Sequence, residues 1–369
     1  MKKGEEVHKI YVRAPNWLGD VIMATPAFAR IRAHWIQAEI VCGIKKGHRG
    51  IMSGSKSFDS YLDLPSAKGW RGLLAEAKLL RQGKFDLAFL FPNSPRTALA
   101  ALMGGVPQRI GYLQGRRLLM THGLMAKPPK RRDKKRWGPR REPFPMIDYW
   151  FGLCDLLEMP RVGTKPILRL SAQEESQGAR RLEEAGVDLA RAFVVLSPGA
   201  AFGPSKLWPS LHWARLAEQL ADEFPNLQLV LTPGPGEEGM AEEVRSLTSA
   251  RIFIVRDPVL SLQELKAVLA RTALMVTTDS GPRHVAVAFD TPHVVLMGPT
   301  HPGYTNRNLE KATILRHELD CGPCHLKVCP LGHECMVDLK PGEVFEAARE
   351  ILDEGKGRGR ENGNGGKDP

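Results

Sequence analysis

Short apolar runs rich in β-branched residues alternate with segments of helical period twice along this chain, and few folds accommodate that pattern. In the first stretch KIYVR before Pro15, EIVCGI (39–44) and FDLAFLF (85–91) read as strands. Val21, Ile22, Ala24, Phe28, Ile31 and Trp35 recur near helical spacing, which predicts a helix from Asp20 to about Trp35, with another around 70–82. The second stretch restarts at AFVVLSPG (192–199) and continues through LQLVLTPG (227–234), IFIV (252–255), LMVTTDSG (274–281) and HVVLMGP (293–299). Helices are expected between these strands at 211–224, 237–247 and 261–272. Strands apolar on both faces and separated by helices imply parallel sheets covered on both sides. The fold class is therefore α/β, with two doubly wound domains, and 369 residues suit that number. The expected divisions are 1–175, 176–354, and a polar, glycine-rich tail at 355–369 without order.

Hydrophobic residues are 43% and charged residues 25%, a balance that excludes a largely disordered or fibrous chain. No run of about 18 apolar residues is present, and MKKGEEVHKIYVRAP lacks the apolar core of a secretory signal. A cytoplasmic protein is the expectation. The net charge of +11 is concentrated in 127–141, KPPKRRDKKRWGPRR, where nine Lys or Arg face one Asp. Lys130, Arg131, Arg132, Lys134 and Lys135 form its densest part. Such a block reads as an arm for phosphates on lipid head groups or nucleic acid, or as a solvated loop. No recognised nucleic-acid motif accompanies it, so a nucleic-acid-binding protein is the lesser alternative.

In doubly wound sheets, ligands bind where strand ends meet helix N-termini. Three loops at such places carry chemistry. In Pro15-Asn16-Trp17-Leu18-Gly19-Asp20, Asp20 reads either as a helix N-cap or as a carboxylate able to take a proton. In the loop 197–209, Lys206 reads either as an exposed lysine or as a diphosphate ligand beside a helix N-terminus. In Thr277-Thr278-Asp279-Ser280-Gly281-Pro282-Arg283-His284, the Ser280 and Gly281 amides can face a phosphate. There Asp279 caps the helix or orders the loop, and His284 is either a core histidine or part of the site.

Gly234-Pro235-Gly236-Glu237-Glu238-Gly239 matches the dinucleotide fingerprint in form. Two glutamates at the helix N-terminus would repel a pyrophosphate, and the motif follows the second strand of its half rather than the first. Hydride transfer is thereby demoted. Cys321, Cys324, Cys329 and Cys335 form C-x2-C-x4-C-x5-C. In a cytosolic protein such a cluster reads as a structural zinc site or as reduced thiols.

VRAPNWLGDVIMATPA (12–27), LSPGAAFGPSKLWP (196–209), TTDSGPRHVA (277–286) and CGPCHLKVCPLGHECM (321–336) together resemble the lipopolysaccharide heptosyltransferases of glycosyltransferase family 9, the type II members most closely. The resemblance implies a GT-B architecture, two Rossmann-like domains facing across a cleft. It implies transfer of L-glycero-D-manno-heptose from ADP-heptose to an inner-core heptose of a lipid A-core precursor, by an enzyme peripheral to the cytoplasmic membrane face. It maps the catalytic base to Asp20, the donor diphosphate ligand to Lys206, and donor contacts to Asp279, Ser280, Gly281 and His284, with Glu238 as the ribose acid. The chain departs from the family at Pro282-Arg283, where an apolar pair is usual, and at Ala200-Ala201, where hydroxyl residues are common. Mechanistically, a base removes the acceptor proton, a single displacement inverts the anomeric centre, and Lys206 supplies the cation without a metal or other cofactor. A GT-B transferase using another nucleotide sugar is the alternative.

Overall fold

The computed structural model describes residues 7–126, 130, 137–139 and 141–361. They divide into two compact units, the first ending at Arg169 and also holding the distant stretch Gly303–Arg307.

Unit 1 runs through β1 (Lys9–Arg13), α1 (Leu18–Met23), α2 (Thr25–His34), β2 (Glu39–Ile44), β3 (Ser60–Asp63), α3 (Gly69–Gly83), β4 (Leu87–Leu90), α4 (Pro95–Met103), β5 (Gln108–Tyr112), β6 (His122–Leu124) and α5 (Met146–Asp155). Its six strands are all parallel, in the order β3-β2-β1-β4-β5-β6. The central strands are buried along their length, which is why their sequences are apolar throughout rather than alternating. Arg307 reaches this unit to pair with Asp148 on α5 at 2.5 Å.

Unit 2 follows with α6 (Ala172–Glu184), β7 (Phe193–Ser197), α7 (Ser210–Glu223), β8 (Gln228–Leu231), α8 (Glu238–Ser246), β9 (Ile252–Ile254), α9 (Leu262–Arg271), β10 (Leu274–Thr278), α10 (Gly281–Ala288), β11 (His293–Leu296), β12 (Ala312–Leu315), α11 (Glu334–Val337) and α12 (Pro341–Glu361). Its sheet is again parallel, ordered β12-β11-β10-β7-β8-β9. Counted from the first strand of each unit, both orders are 3-2-1-4-5-6, the Rossmann order. Each sheet therefore has a switch point, between β1 and β4 in unit 1 and between β7 and β10 in unit 2. Two capping boxes, Ser171 with Glu174 and Ser261 with Glu264, start α6 and α9. A buried ion pair from Lys266 to Glu174, 3.0 Å, then ties these helices together.

Several expectations need correction. The single helix from Asp20 to Trp35 is two helices, because Pro26 has no N–H to continue the ladder and α2 restarts at Thr25. The strands β3, β5, β6 and β12 escape sequence reading, being short and partly polar or only half-buried at the sheet margins. The units divide at 169/170 rather than 175/176, since the capped start of α6 at Ser171 already belongs to unit 2. The tail expected to lose order from 355 is helical through Glu361, and 362–369 lie outside the described residues. No helix among the described residues is long and apolar enough to cross a membrane.

Candidate active site

At the switch point of unit 2, the loop after β7 descends into a short 3-10 turn, Pro204–Lys206. The turn is anchored on its far side by Trp208, fully buried, whose indole N–H donates to the Leu339 carbonyl at 2.8 Å. Pro209 then precedes α7. On its near side the turn is clamped by the Cys-rich loop. Ser205 donates through its amide to the Lys327 carbonyl and through its hydroxyl to the Leu326 carbonyl, and the His333 ring meets the Ser205 carbonyl at 2.7 Å. Gly203, at φ +149°, allows this approach, because a Cβ there would stand 2.7 Å from the Lys327 oxygen.

The result is a lysine held in place rather than waving in solvent. Lys206 is 8% exposed, and its ammonium donates to both the backbone oxygen and the carboxylate of Asp279, each at 2.6 Å. The Thr300 hydroxyl donates to the same carboxylate oxygen, and the other oxygen of Asp279 takes Arg283 Nη1 at 2.7 Å. Burial alone would raise the Asp279 pKa, but Lys206 and Arg283 outweigh it and hold the carboxyl well below its ordinary range. Two of three ammonium donors are engaged with Asp279, and the ammonium also lies 5.1 Å from the Phe202 ring centre. The net charge of the three groups is +1, in a site where anions gain most from it.

Asp279 does not cap α10; Ser280 occupies that position, with extended backbone and Gly281 opening the helix. Asp279 instead positions Lys206. The Pro282-Arg283 departure also finds its reason here, since buried Arg283 balances a carboxylate that Lys206 alone would share with an incoming anion. His284 is buried, and its pKa is pushed down to about 3 by burial first and then by Arg283, so its ring is neutral. Glu238 is the first residue of α8, whereas its neighbour Glu237 turns toward the site. The Glu237 carboxylate accepts the Gly234 N–H at 2.7 Å and fills the space a Cβ on Gly199 would need. The Thr278 hydroxyl bonds the Gly199 carbonyl at 2.6 Å, joining the two strand-end loops.

At the switch point of unit 1, Trp17 precedes α1, and Asp20 is the third helical residue, not the N-cap. An acid there is favoured by the helix N-terminus while its side chain stays only half-buried. The preceding loop is braced from beneath. Arg13, at the end of β1, donates to Asn16 Oδ1 at 2.9 Å and to the Ala14 carbonyl. Its guanidinium is held by Glu76 of α3 at 3.2 Å, and Glu76 also receives Arg96 of α4 at 2.9 Å. Beyond β4, Arg116 donates to the Leu90 and Pro92 carbonyls, and Asn93 donates to the Tyr149 hydroxyl at 2.6 Å. Sequence reading missed Arg13, Glu76, Arg96, Arg116 and Glu237. The available signal was an arginine closing an apolar strand and a lone glutamate on the apolar side of a helix.

Of the basic segment, Arg131, Arg132, Lys134 and Lys135 lie outside the described residues, while Lys130 is exposed and bridges Arg141. Cys321, Cys324, Cys329 and Cys335 are free thiols. Burial, and then the other three thiols, push Cys335 up to about 12. His325 and His333 are bonded to the His301 amide and the Ser205 carbonyl, and among the described residues no three His, Cys, Asp or Glu side chains converge to hold a metal. The residues present do not fit a zinc ion in this arrangement.

The family model for glycosyltransferase family 9 (heptosyltransferase) matches residues 73–334. Lipopolysaccharide heptosyltransferase 2 of Escherichia coli strain K12 is 29% identical over 356 residues, covering 93% of this chain and 98% of that protein. The structure of E. coli ADP-heptose LPS heptosyltransferase II aligns with TM-score 0.72 and 26% identity over 94% of this chain and 99% of that one. A glycosyltransferase family 9 structure from Veillonella parvula DSM 2008 aligns with TM-score 0.75 at 21% identity, over 94% and 97%, a likeness of fold.

Proposed function

The chain belongs to glycosyltransferase family 9, with the two Rossmann-like units of the GT-B class, and from that premise we propose that it transfers L-glycero-D-manno-heptose from ADP-heptose to an inner-core heptose of a lipopolysaccharide precursor. The observation that carries this reading is the buried Lys206–Asp279–Arg283 cluster at the unit 2 switch point, a preset cation where a diphosphate leaving group develops charge. Unit 2 takes the donor, with Lys206 and the amides of Ser280 and Gly281 facing the diphosphate. Unit 1 takes the acceptor.

An acceptor hydroxyl is a poor nucleophile at neutral pH, so its proton must leave as its oxygen bonds to the anomeric carbon. Asp20 receives that proton. The bond from the anomeric carbon to the diphosphate oxygen breaks in the same displacement, ADP carries away the electron pair, and the centre inverts. Lys206 gains most as the leaving oxygen becomes anionic, so it favours the transition state over the bound donor. The Cys-rich loop serves this step structurally, by clamping the turn that bears Lys206, and no step passes through a metal. Work at the cytoplasmic membrane face, with the basic segment 127–141 against anionic head groups, belongs to the same reading.

Calorimetry with ADP-heptose, UDP-sugars and GDP-sugars tests the donor. Binding of ADP-heptose, with at least about tenfold weaker binding of the others, is expected. Preference for a UDP- or GDP-sugar would overturn the heptose reading and favour a GT-B transferase of another donor.

A further inference from the structure

Helix α3 buries one side in unit 1 and leaves the other to solvent, and the composition of that exposed side is unusual for a helix facing only water. At about 100° per residue, Trp70, Arg71, Leu74, Lys78 and Arg81 fall within one arc of roughly 120°. Gly72, Glu76, Ala77 and Leu80 form the opposite, buried side. Trp70 is 67% exposed and Leu74 43%, although these are the side chains a helix ordinarily turns inward. The Arg71 guanidinium lies 5.6 Å from the Trp70 ring centre, so cation and aromatic form one surface. The helix has a single carboxylate, Glu76, and it points inward to Arg13 and Arg96, so nothing on the exposed arc offsets the three cations.

We propose that α3 is a docking helix for the surface of an anionic phospholipid bilayer, with Trp70 and Leu74 entering the interface and Arg71, Lys78 and Arg81 meeting lipid phosphates. Tryptophan suits the boundary between head groups and acyl chains, and basic residues with long stems reach back to phosphates from it. The interleaving decides between a membrane and a protein groove. An apolar protein surface covering this arc would bury the three cations without partners, which is costly. A head-group layer supplies apolar depth and negative charge together. Leu118, 97% exposed in the turn between β5 and β6 and next to Arg117, repeats the pairing of apolar and basic residues elsewhere in unit 1. The inference rests on the proposed function only in that a lipid-linked acceptor gives the docking its use.

Flotation of the full chain with vesicles tests it. Wild-type protein should float with vesicles of phosphatidylcholine and phosphatidylglycerol at 70:30 and remain free with phosphatidylcholine alone. The double variant Trp70→Ser/Leu74→Ser should bind the anionic vesicles at least about tenfold more weakly, the scale expected from withdrawing two large apolar groups from the interface. Lys78→Glu/Arg81→Glu should weaken binding as much and reduce its dependence on salt. Unchanged melting temperature shows that each variant is folded. Unchanged transfer to a deacylated, water-soluble acceptor separates a docking defect from any failure of the proposed reaction. Wild-type flotation by both variants, or a loss seen only when residues of 127–141 are neutralised, would overturn the role of α3.

Discussion

The two units share one strand order but arm their switch points in opposite ways. In unit 2 the functional charge is inside: Lys206 is buried, bonded twice to Asp279, and balanced by an arginine that is almost fully covered. In unit 1 the buried Arg13 and Glu76, with the half-exposed Arg96 beside them, brace the loop, and Asp20 stands half-exposed. One switch point holds a buried cluster of net charge +1, while the other offers a single carboxylate on a braced loop. The fold supplies the location in both cases, and the side chains decide the chemistry.

If the contrast is right, the largest effect should come from Asp20→Asn. Asparagine keeps the size and the hydrogen-bond acceptor in the first turn of α1, so the fold survives, but it takes no proton. Turnover should fall by about 10²–10⁴-fold. ADP affinity should stay within about twofold, because the proposed donor site is in unit 2. Turnover, ADP calorimetry and melting on one preparation give the answer. A fully active variant would remove the base from unit 1.

Lys206→Ala should come next, with kcat/KM lower by about 10²–10³-fold, the worth of one preorganised donor at a developing anion. Unlike Asp20→Asn, it should also weaken ADP binding and lower the melting temperature, because it takes one of two cationic partners from a buried carboxylate. Loss of affinity with kcat unchanged would make Lys206 an anchor for the donor only.

Much of this was legible in the sequence where a residue's role depends on its immediate neighbours. β1, β2, β4, β7, β8 and β10 were visible as apolar runs, and Lys206 and Asp279 were visible as charged residues in small-residue loops at strand ends. Their pairing was not visible, because 73 positions separate them and only the β7–β10 adjacency brings them together. The same holds for Glu76, whose partners Arg13 and Arg96 lie 63 and 20 positions away. Glu238 and Glu237 show a finer limit. The resemblance pointed to a glutamate at this loop, but the start of α8 decides which of two adjacent side chains turns back toward Gly199.

Glu76→Gln probes the bracing in unit 1. Glutamine can still accept from Arg13 or Arg96 but carries no charge, so the Asn16 loop should loosen without collapsing. About a tenfold loss of kcat is expected, with ADP binding unchanged and with the pH dependence of turnover displaced. Such a displacement distinguishes a positioning role from plain destabilisation, which would lower the amount of active enzyme at every pH alike. An unaltered kcat and pH profile would show that Asp20 does not depend on the brace.

A further effect should appear in stability, away from turnover, and it should belong mainly to unit 2. His293 is fully buried at the start of β11, and burial above all lowers its pKa to about 4, while His284 lies at about 3. Both titrate near 6.5 in an unfolded chain. Between that value and the folded ones, the unfolded state takes up protons that the folded state refuses. Stability is therefore complete above about pH 6.5 and declines as pH falls toward 4. By pH 5 the decline should reach about 2 kcal/mol for each histidine, or several degrees in melting temperature. Asp279 acts in the same direction but later, since its depressed carboxyl contributes stability that is lost only below the ordinary carboxylate range. In unit 1, His48 is also lowered to about 4, mainly by burial and then by Lys45, but it is less covered and solvent screens its contribution. Melting curves at pH 7.5, 6.5 and 5.0 for wild type and His293→Gln separate these sources. The variant should lose about half of the shift between pH 6.5 and 5.0, and a wild-type melting temperature that is flat across that range would show that neither buried ring resists protonation.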